Sequence, residues 1–398
     1  MNTRKIKRTE FILIKHWNKF WFEERSRQSL CLLRIFFGII FFCKLTGFHN
    51  LQRIGDMRFR FPKHHFSSYK NFYFEGFSNP LPGLEWLPVP EFYQYRFIEE
   101  LLLVASVFFI LGIFTRYIGV FISVVYSYLF LLSQFTYHHH TFLFIIVLLI
   151  LGFSRCNDHY SIDSLIYKRE NKKGKILPIR LLQVFISIVY TFSFIQKLNY
   201  SWLSGDIILL FLSEHTIRGD FSEFINSTLN MPYLEYFWRS LGPFTLFAEG
   251  LLAFGLWFPR LRRFTILMGI MLHLGIDLTI GVATFSFQMM ALYIVFIYPE
   301  SKQSTVFYDS KNLLHKLVVL PGKFLDWFQR IKWVDYSTDS TVTENRCLKF
   351  SAMGGQPRGG MNFIYGIMSL LPITFILSFI PGLYLFIKNI FFRLKKPV

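Results

Sequence analysis

The sequence predicts an all-α protein: a polytopic transmembrane helix bundle of about eight to ten spans, with long outer loops and a short polar C-terminal region. Three observations predict it. Hydrophobic residues fill 53% of the 398 positions, Phe alone takes 50 of them, and charged residues only 17%, a balance unlike that of soluble domains. Several apolar runs approach the ~20 residues needed to cross hydrocarbon. The loops between those runs differ sharply in Lys and Arg content, the pattern that sets orientation in membranes.

The net charge of +18 is explained by basic cytoplasmic loops, so nucleic acid is not an expected partner. Cys31, Cys43, Cys156 and Cys347 are scattered, two of them inside the first apolar run. They form no CxxC and no zinc spacing, so neither a disulfide framework nor a metal is expected.

Residues 1–29 are basic and aromatic, with Trp17, Phe20, Trp21 and Phe22 among Lys and Arg. That composition suits an interfacial helix on an anionic cytoplasmic leaflet. The first long apolar run starts at Leu30 without a small-residue cleavage site, which predicts a start-transfer helix that stays. Residues 30–300 form the expected transmembrane domain. Its first span is Leu30–Leu45, with Arg34 inside. A structural ion pair with a neighbouring helix is the expectation for Arg34, ahead of a substrate role.

Residues 47–96 read as a long loop, because Pro80 and Pro82 prevent continuous helix. It could be a lid or a connector. Spans follow at Phe97–Phe114 and Tyr117–Phe135, separated by a basic turn at Thr115-Arg116. After His138, His139 and His140 comes a fourth span ending near Phe153. The next segment carries Arg155, Lys168, Arg169, Lys172, Lys173 and Lys175, and is expected in the cytoplasm.

The fifth span, Ile179–Gln196, then runs outward and delivers Lys197 to the outer side. An outer loop ends at Gly242-Pro243. The remaining spans are Phe244–Phe258, Phe264–Ile280 and Ala283–Tyr298, with the basic Arg260, Arg262 and Arg263 on the inside. Residues 301–360 are expected to be a polar cytoplasmic segment with an amphipathic piece around Phe324–Trp333. Residues 361–398 form a C-terminal hydrophobic helix or hairpin, interrupted by Pro372 and Pro381. With the N-terminus inside, the His138–His140 turn and Lys197 fall on the same outer side.

Lys197 closes a hydrophobic helix just before Trp202 and Gly205. Low dielectric disfavours an ammonium group, and a neutral amine facing an apolar pocket is a base. The plainer reading is a lysine snorkelling to the interface. His140 opens its span as an interfacial histidine, and no spaced partner makes His139 and His140 a metal site. His273 and Asp277 stand at i and i+4, so the carboxylate could orient the imidazole or serve as a polar clasp. Glu249, an acid inside a span, is expected to pair with a base or hold a ligand. Asp158, His159 and Asp163 lie on the inner side and read as structural. Among these groups, an outer pocket lined by Phe and Tyr would suit a hydrophobic ring compound from the membrane.

Seven stretches come in a characteristic order: Leu33-Arg34 with Gly38; Pro80, Pro82 and Trp86; His139-His140; Asn157-Asp158-His159-Tyr160-Ser161 with Asp163; Lys197-Leu198 with Trp202 and Gly205; His273; and Phe285-Ser286-Phe287. In this the chain resembles the membrane domain of the vitamin K-dependent gamma-glutamyl carboxylases, the HTTM (horizontally transferred transmembrane) domain, over residues 30–300. The resemblance implies a lysine base, matched by Lys197, acting on vitamin K hydroquinone or menaquinol. Oxygen and carbon dioxide are the co-substrates. Quinol oxygenation to an epoxide is coupled to proton removal from a peptide glutamate and its carboxylation. His140 and His273 match histidines around the hydroquinone and glutamate. His139, Glu249, Asp277 and Trp202 are expected to line the substrate and cofactor pocket.

The sequence departs from that pattern at three places. His139 stands where asparagine is common, Gln196 stands where vertebrate enzymes carry a further lysine, and only about a hundred residues follow the core. A shorter bacterial branch of HTTM proteins, which includes proteins needed to mature secreted peptide toxins, is similar in size. The resemblance therefore implies a multi-pass cell-membrane enzyme with an outer site, or a non-catalytic component for maturation or export of a secreted peptide. A transporter is a third option, although no repeated pair of broken helices is present.

Overall fold

The computed structural model describes residues 14–46, 80–132, 139–167, 173–213, 227–229, 231–279, 284–297, 304–326, 330–336, 348–351, 356 and 359–370. The chain divides into two units, Met1–Ile297 and Tyr298–Val398.

The first unit is helical. After helical residues 14–22 come β1 (Glu24–Ser26), α1 (Gln28–Thr46), α2 (Phe92–Leu111), α3 (Thr115–Leu131), α4 (His139–Phe153), α5 (Ile162–Tyr167), β2 (Lys173–Lys175) and α6 (Leu177–Lys197). The unit continues with α7 (Tyr200–Leu203), α8 (Asp206–Ser213), α9 (Pro232–Gly255), α10 (Arg262–Thr279) and α11 (Phe285–Leu292), which tightens into a 3-10 turn at Tyr293–Phe296. Helices α1 and α2, α3 and α4, α6 and α9, and α9 and α10 are the main packed pairs.

Packing follows from the apolar faces. Phe37 and Phe41 of α1 both stack on Phe144 of α4, with centroids 5.2 and 5.4 Å apart. Helices α3 and α4 approach so closely that a Cβ on Gly119 would come within 2.8 Å of the Gly152 backbone. Small residues permit such backbone contact in membrane bundles.

Among the described residues, only Gln28–Thr46 and Leu177–Lys197 are both long and apolar enough to cross a membrane. The reason is chemical. Helix α2 carries Arg96, Glu99 and Glu100, and α10 carries Arg262, Arg263 and Asp277. Helices α3, α4 and the α11 segment are apolar but shorter.

Several expected boundaries move. The turn between the second and third helices is residues 112–114, not Thr115-Arg116: Thr115 already starts α3. The Asp163 carboxylate accepts from the backbone N–H of Phe114 and Thr115 at 3.2 and 3.4 Å, so a distant residue caps this helix. Pro243 does not begin a helix. It lies inside α9, which starts at Pro232, where a proline at the first position costs nothing. Helix α2 starts at Phe92, behind a capping box between Glu91 and Gln94. The tail of the preceding loop docks on α3, with Leu81 N–H donating to Leu131 and the Tyr128 hydroxyl to Pro88. Residues 47–79 and His138 lie outside the described residues.

The loop around Asp158 is held by its own polar contacts. Arg27 meets Asp158 at 2.6 Å, and Asn157 donates to Asp163 at 2.8 Å. Arg34 is fully buried, and its Nη2 donates to the Tyr160 carbonyl at 2.5 Å. Its partner is thus a backbone carbonyl and not the acid of a neighbouring helix. The strands β1 and β2 pair antiparallel, Glu24 with Lys175, and join the N-terminal segment to the basic loop.

The second unit adds a few short strands to an otherwise mostly helical chain. It holds β3 (Ser304–Tyr308), α12 (Leu313–Leu325), β4 (Ile331–Asp335), β5 (Lys349–Ser351) and α13 (Met361–Leu370). Strand β3 is central, parallel to β4 and antiparallel to β5, and α12 makes the crossover that a parallel pair requires. The alternation in Ser304-Thr-Val-Phe-Tyr buries Ser304 and Val306 on one face. Phe363 and Ile367, one turn apart on α13, pack with Val306 and Ile331. The piece expected to be one amphipathic stretch, Phe324–Trp333, is therefore the end of α12 and the start of β4.

Candidate functional site

Helix α6 organises the site. Proline in its first turn starts it, and it runs to Lys197, where the chain turns. The Asn199 side chain accepts from the Trp202 N–H at 3.3 Å and caps α7. Gly205 then takes φ +77°, a conformation that favours glycine. A Cβ there would strike the Arg239 backbone of α9, and one on Gly242 would strike the Trp202 carbonyl. The turn after α6 is thus pressed directly onto α9, and the Trp202 ring comes to 5.3 Å from Lys197 Nζ. At the end of this turn, the Ser204 hydroxyl and Arg239 both bond to Asp206 and hold its carboxyl below the usual range.

Tyr190, Ser193 and Lys197 stand at i, i+3 and i+7, one face of α6. Each meets a group from another helix. Lys197 Nζ donates to both Glu249 oxygens, at 2.9 and 3.0 Å, and to Ser193 Oγ. The Ser193 hydroxyl in turn donates to Glu249 Oε1 at 3.0 Å. The pair is largely sheltered, with side-chain exposures of 22% for Lys197 and 8% for Glu249. The expectation that Glu249 pairs with a base is met by the very lysine that the sequence singled out.

Two turns earlier on α6, roughly 10 Å away along the axis, the buried Tyr190 hydroxyl lies 2.7 Å from His273 Nε2 and 2.6 Å from the Tyr293 hydroxyl. His273 is buried, and its Nδ1 has no hydrogen-bond partner among the described residues. Asp277 therefore does not orient this imidazole. One turn of helix separates them, but α10 points the ring at Tyr190. Phe285 lies against His273, centroids 5.5 Å apart, and against His140 at 6.1 Å. The two histidines thus share one aromatic wall.

Of the sequence-derived residues, Lys197, Glu249 and Trp202 form one cluster, and His273 and His140 meet at Phe285. Asp277 is half-buried and His139 exposed, and neither enters these clusters through a contact described above. Sequence reasoning missed Ser193, Tyr190 and Tyr293. The first two were within reach, since counting back from Lys197 by four and seven names both. Tyr293 required the tertiary fold. Among the described residues, no group of His, Cys, Asp and Glu could hold a metal.

Residues 22–300 match the HTTM domain, well over half of the chain. The chain belongs to the HTTM domain family. Every residue of the two clusters falls within the HTTM match. No solved structure matches this HTTM chain, so its geometry is read from its own residues. The family is membrane-associated, in keeping with the two long apolar helices.

Proposed function

We propose that this HTTM protein is a multi-pass cell-membrane enzyme resembling the vitamin K-dependent gamma-carboxylases, with its N-terminus inside, its site on the outer side and Lys197 as base. The observation that carries this reading is the position of Lys197 Nζ. It is turned inward onto Glu249 and Ser193 under Trp202, and not out to solvent.

The residues fit a hydroquinone. The buried Nδ1 of His273 is a hydrogen-bonding atom with no partner among the described residues, and Phe285 offers an aromatic face beside both histidines. A bound vitamin K hydroquinone or menaquinol, with oxygen and carbon dioxide, would supply the oxidation that drives carboxylation of a peptide glutamate. The protein's part is to move protons and exclude water. Transfer of a proton from Lys197 Nζ to Glu249 over 2.9 Å leaves a neutral amine, able to take a proton from a substrate hydroxyl. Such a transfer is easiest in a dry site, where separated charges are costly. Tyr190 holds the His273 ring in place and leaves Nδ1 for a ligand.

The test is epoxide formation by the purified protein given reduced vitamin K or menaquinol and oxygen. Epoxide formation that stops with Lys197→Ala supports the reading, and epoxide that survives it removes Lys197 from the chemistry. One observation favours a second reading, a non-catalytic component in maturation or export of a secreted peptide. All three hydrogens of the Lys197 ammonium are taken within the protein, as in a structural clasp between α6 and α9. No epoxide with any quinol, together with peptide maturation that survives Lys197→Met/Glu249→Leu, supports that role.

A further inference from the structure

Helix α12, in the second unit, has three distinct faces. His315, Val319 and Gly322 are buried. Gly322 sits against the Trp333 ring, and His315 Nδ1 accepts from the Asp309 N–H at 3.0 Å, which fixes this face on the sheet. Leu313, Leu317, Leu320 and Phe324 recur at i, i+4, i+7 and i+11 and form a stripe on the opposite face. They are 71%, 63%, 66% and 79% exposed. Leu314 and Val318 widen the stripe on one side. Lys316 and Lys323 border it on the other, Lys311 precedes the helix, and the helix itself carries no acid.

Water is a poor neighbour for such a face. Contiguous apolar surface rimmed by polar groups marks a contact site, and leaving large side chains exposed costs roughly 1.5–3 kcal/mol each. We infer that α12 lies flat on an anionic phospholipid bilayer, with Leu313, Leu317, Leu320 and Phe324 in the acyl boundary and Lys316 and Lys323 at the headgroups. Two features select lipid. The lysines border the apolar stripe, so that apolar and positive surfaces meet the same plane, as in interfacial helices. The helix has only 13 residues, about 20 Å in length, too short to cross ~30 Å of hydrocarbon. A leaflet of anionic lipid attracts each lysine near it. This inference does not use Lys197 or any enzymatic activity.

The test uses the full chain reconstituted in vesicles of phosphatidylcholine, with or without phosphatidylglycerol. Phe324→Cys is made in a Cys43→Ser/Cys347→Ser background and carries an environment-sensitive dye. Cys31 and Cys156 are buried, and the same background without the position-324 substitution gives the blank. With phosphatidylglycerol present, the dye emission shifts to the blue, nitroxide-labelled lipid quenches it and aqueous iodide does not. Lys316→Gln/Lys323→Gln weakens this docking on the order of tenfold. Phe324 is exposed, so the label does not cut into the core. Iodide quenching that is equal in both vesicle types overturns the inference, as does protection that is equal with and without phosphatidylglycerol. Protection from iodide without quenching by nitroxide-labelled lipid also overturns it, because a protein partner or a second copy would then cover the face.

Discussion

Lys197 Nζ contacts both carboxylate oxygens of Glu249, at 2.9 and 3.0 Å, so the end of α6 is fastened to the middle of α9. Removing one partner leaves the other charge unpaired in a largely dry place. Lys197→Ala or Glu249→Ala is expected to cost about 2–3 kcal/mol, the lower side of the range for buried pairs because Lys197 keeps some exposure. Lys197→Met/Glu249→Leu is expected to recover most of that loss. Thermal unfolding in detergent measures both. On the enzymatic reading the double variant stays inactive in the epoxide assay although it is stable.

Tyr190 bridges His273 and Tyr293. Tyr190→Phe keeps the ring and removes the shared hydroxyl, so two buried groups lose a partner. The expected cost is about 1–3 kcal/mol in stability. Tyr293→Phe leaves the Tyr190 hydroxyl its bond to His273 and is expected to cost less. The same order is expected in epoxide formation, since of the two tyrosines it is Tyr190 that hydrogen-bonds the imidazole.

Gly205 is held at φ +77° against the backbone of Arg239. Gly205→Ala meets both a conformational penalty of about 1–2 kcal/mol and a collision with main chain that cannot move aside. The expected result is reduced folded yield and a displaced Trp202. A loss of indole fluorescence response to quinol, compared in parallel with Trp202→Phe, checks it.

Asp326 is buried at the end of α12 and accepts from the N–H groups of Arg330 and Ile331, at 2.8 and 3.0 Å. Burial nevertheless pushes its carboxyl above the usual 3.8. A raised carboxyl binds its proton more tightly in the folded state. Its contribution to stability is therefore full below the ordinary value and is lost as pH rises through the raised one. Limited proteolysis of the second unit is expected to speed up from about pH 4 towards neutrality, and Asp326→Asn is expected to flatten that trend.

The helical character of the first unit was legible in the sequence because its apolar runs are long and its breakers few. Lys197, Glu249 and His273 announced themselves as polar groups in apolar surroundings. What escaped was decided at a distance. The start of α3 is set by Asp163, 48 residues away from Thr115, and no local pattern could have shown it. Pro243 read as a boundary because proline usually ends helices, yet α9 absorbs it. Asp277 shared a face with His273 by spacing, but the imidazole turned to a tyrosine on another helix. The strands of the second unit were not legible because they are only three to five residues long, too short for alternation to stand out against polar surroundings.

The bond from Arg34 to the Tyr160 carbonyl spans 126 positions. As the polypeptide leaves the ribosome, the first long helix therefore emerges carrying a cation whose acceptor has not been synthesised. Until that acceptor arrives, nascent α1 must keep its guanidinium wet or lend it to a chaperone, which ties the settling of this helix to the birth of a loop three helices later.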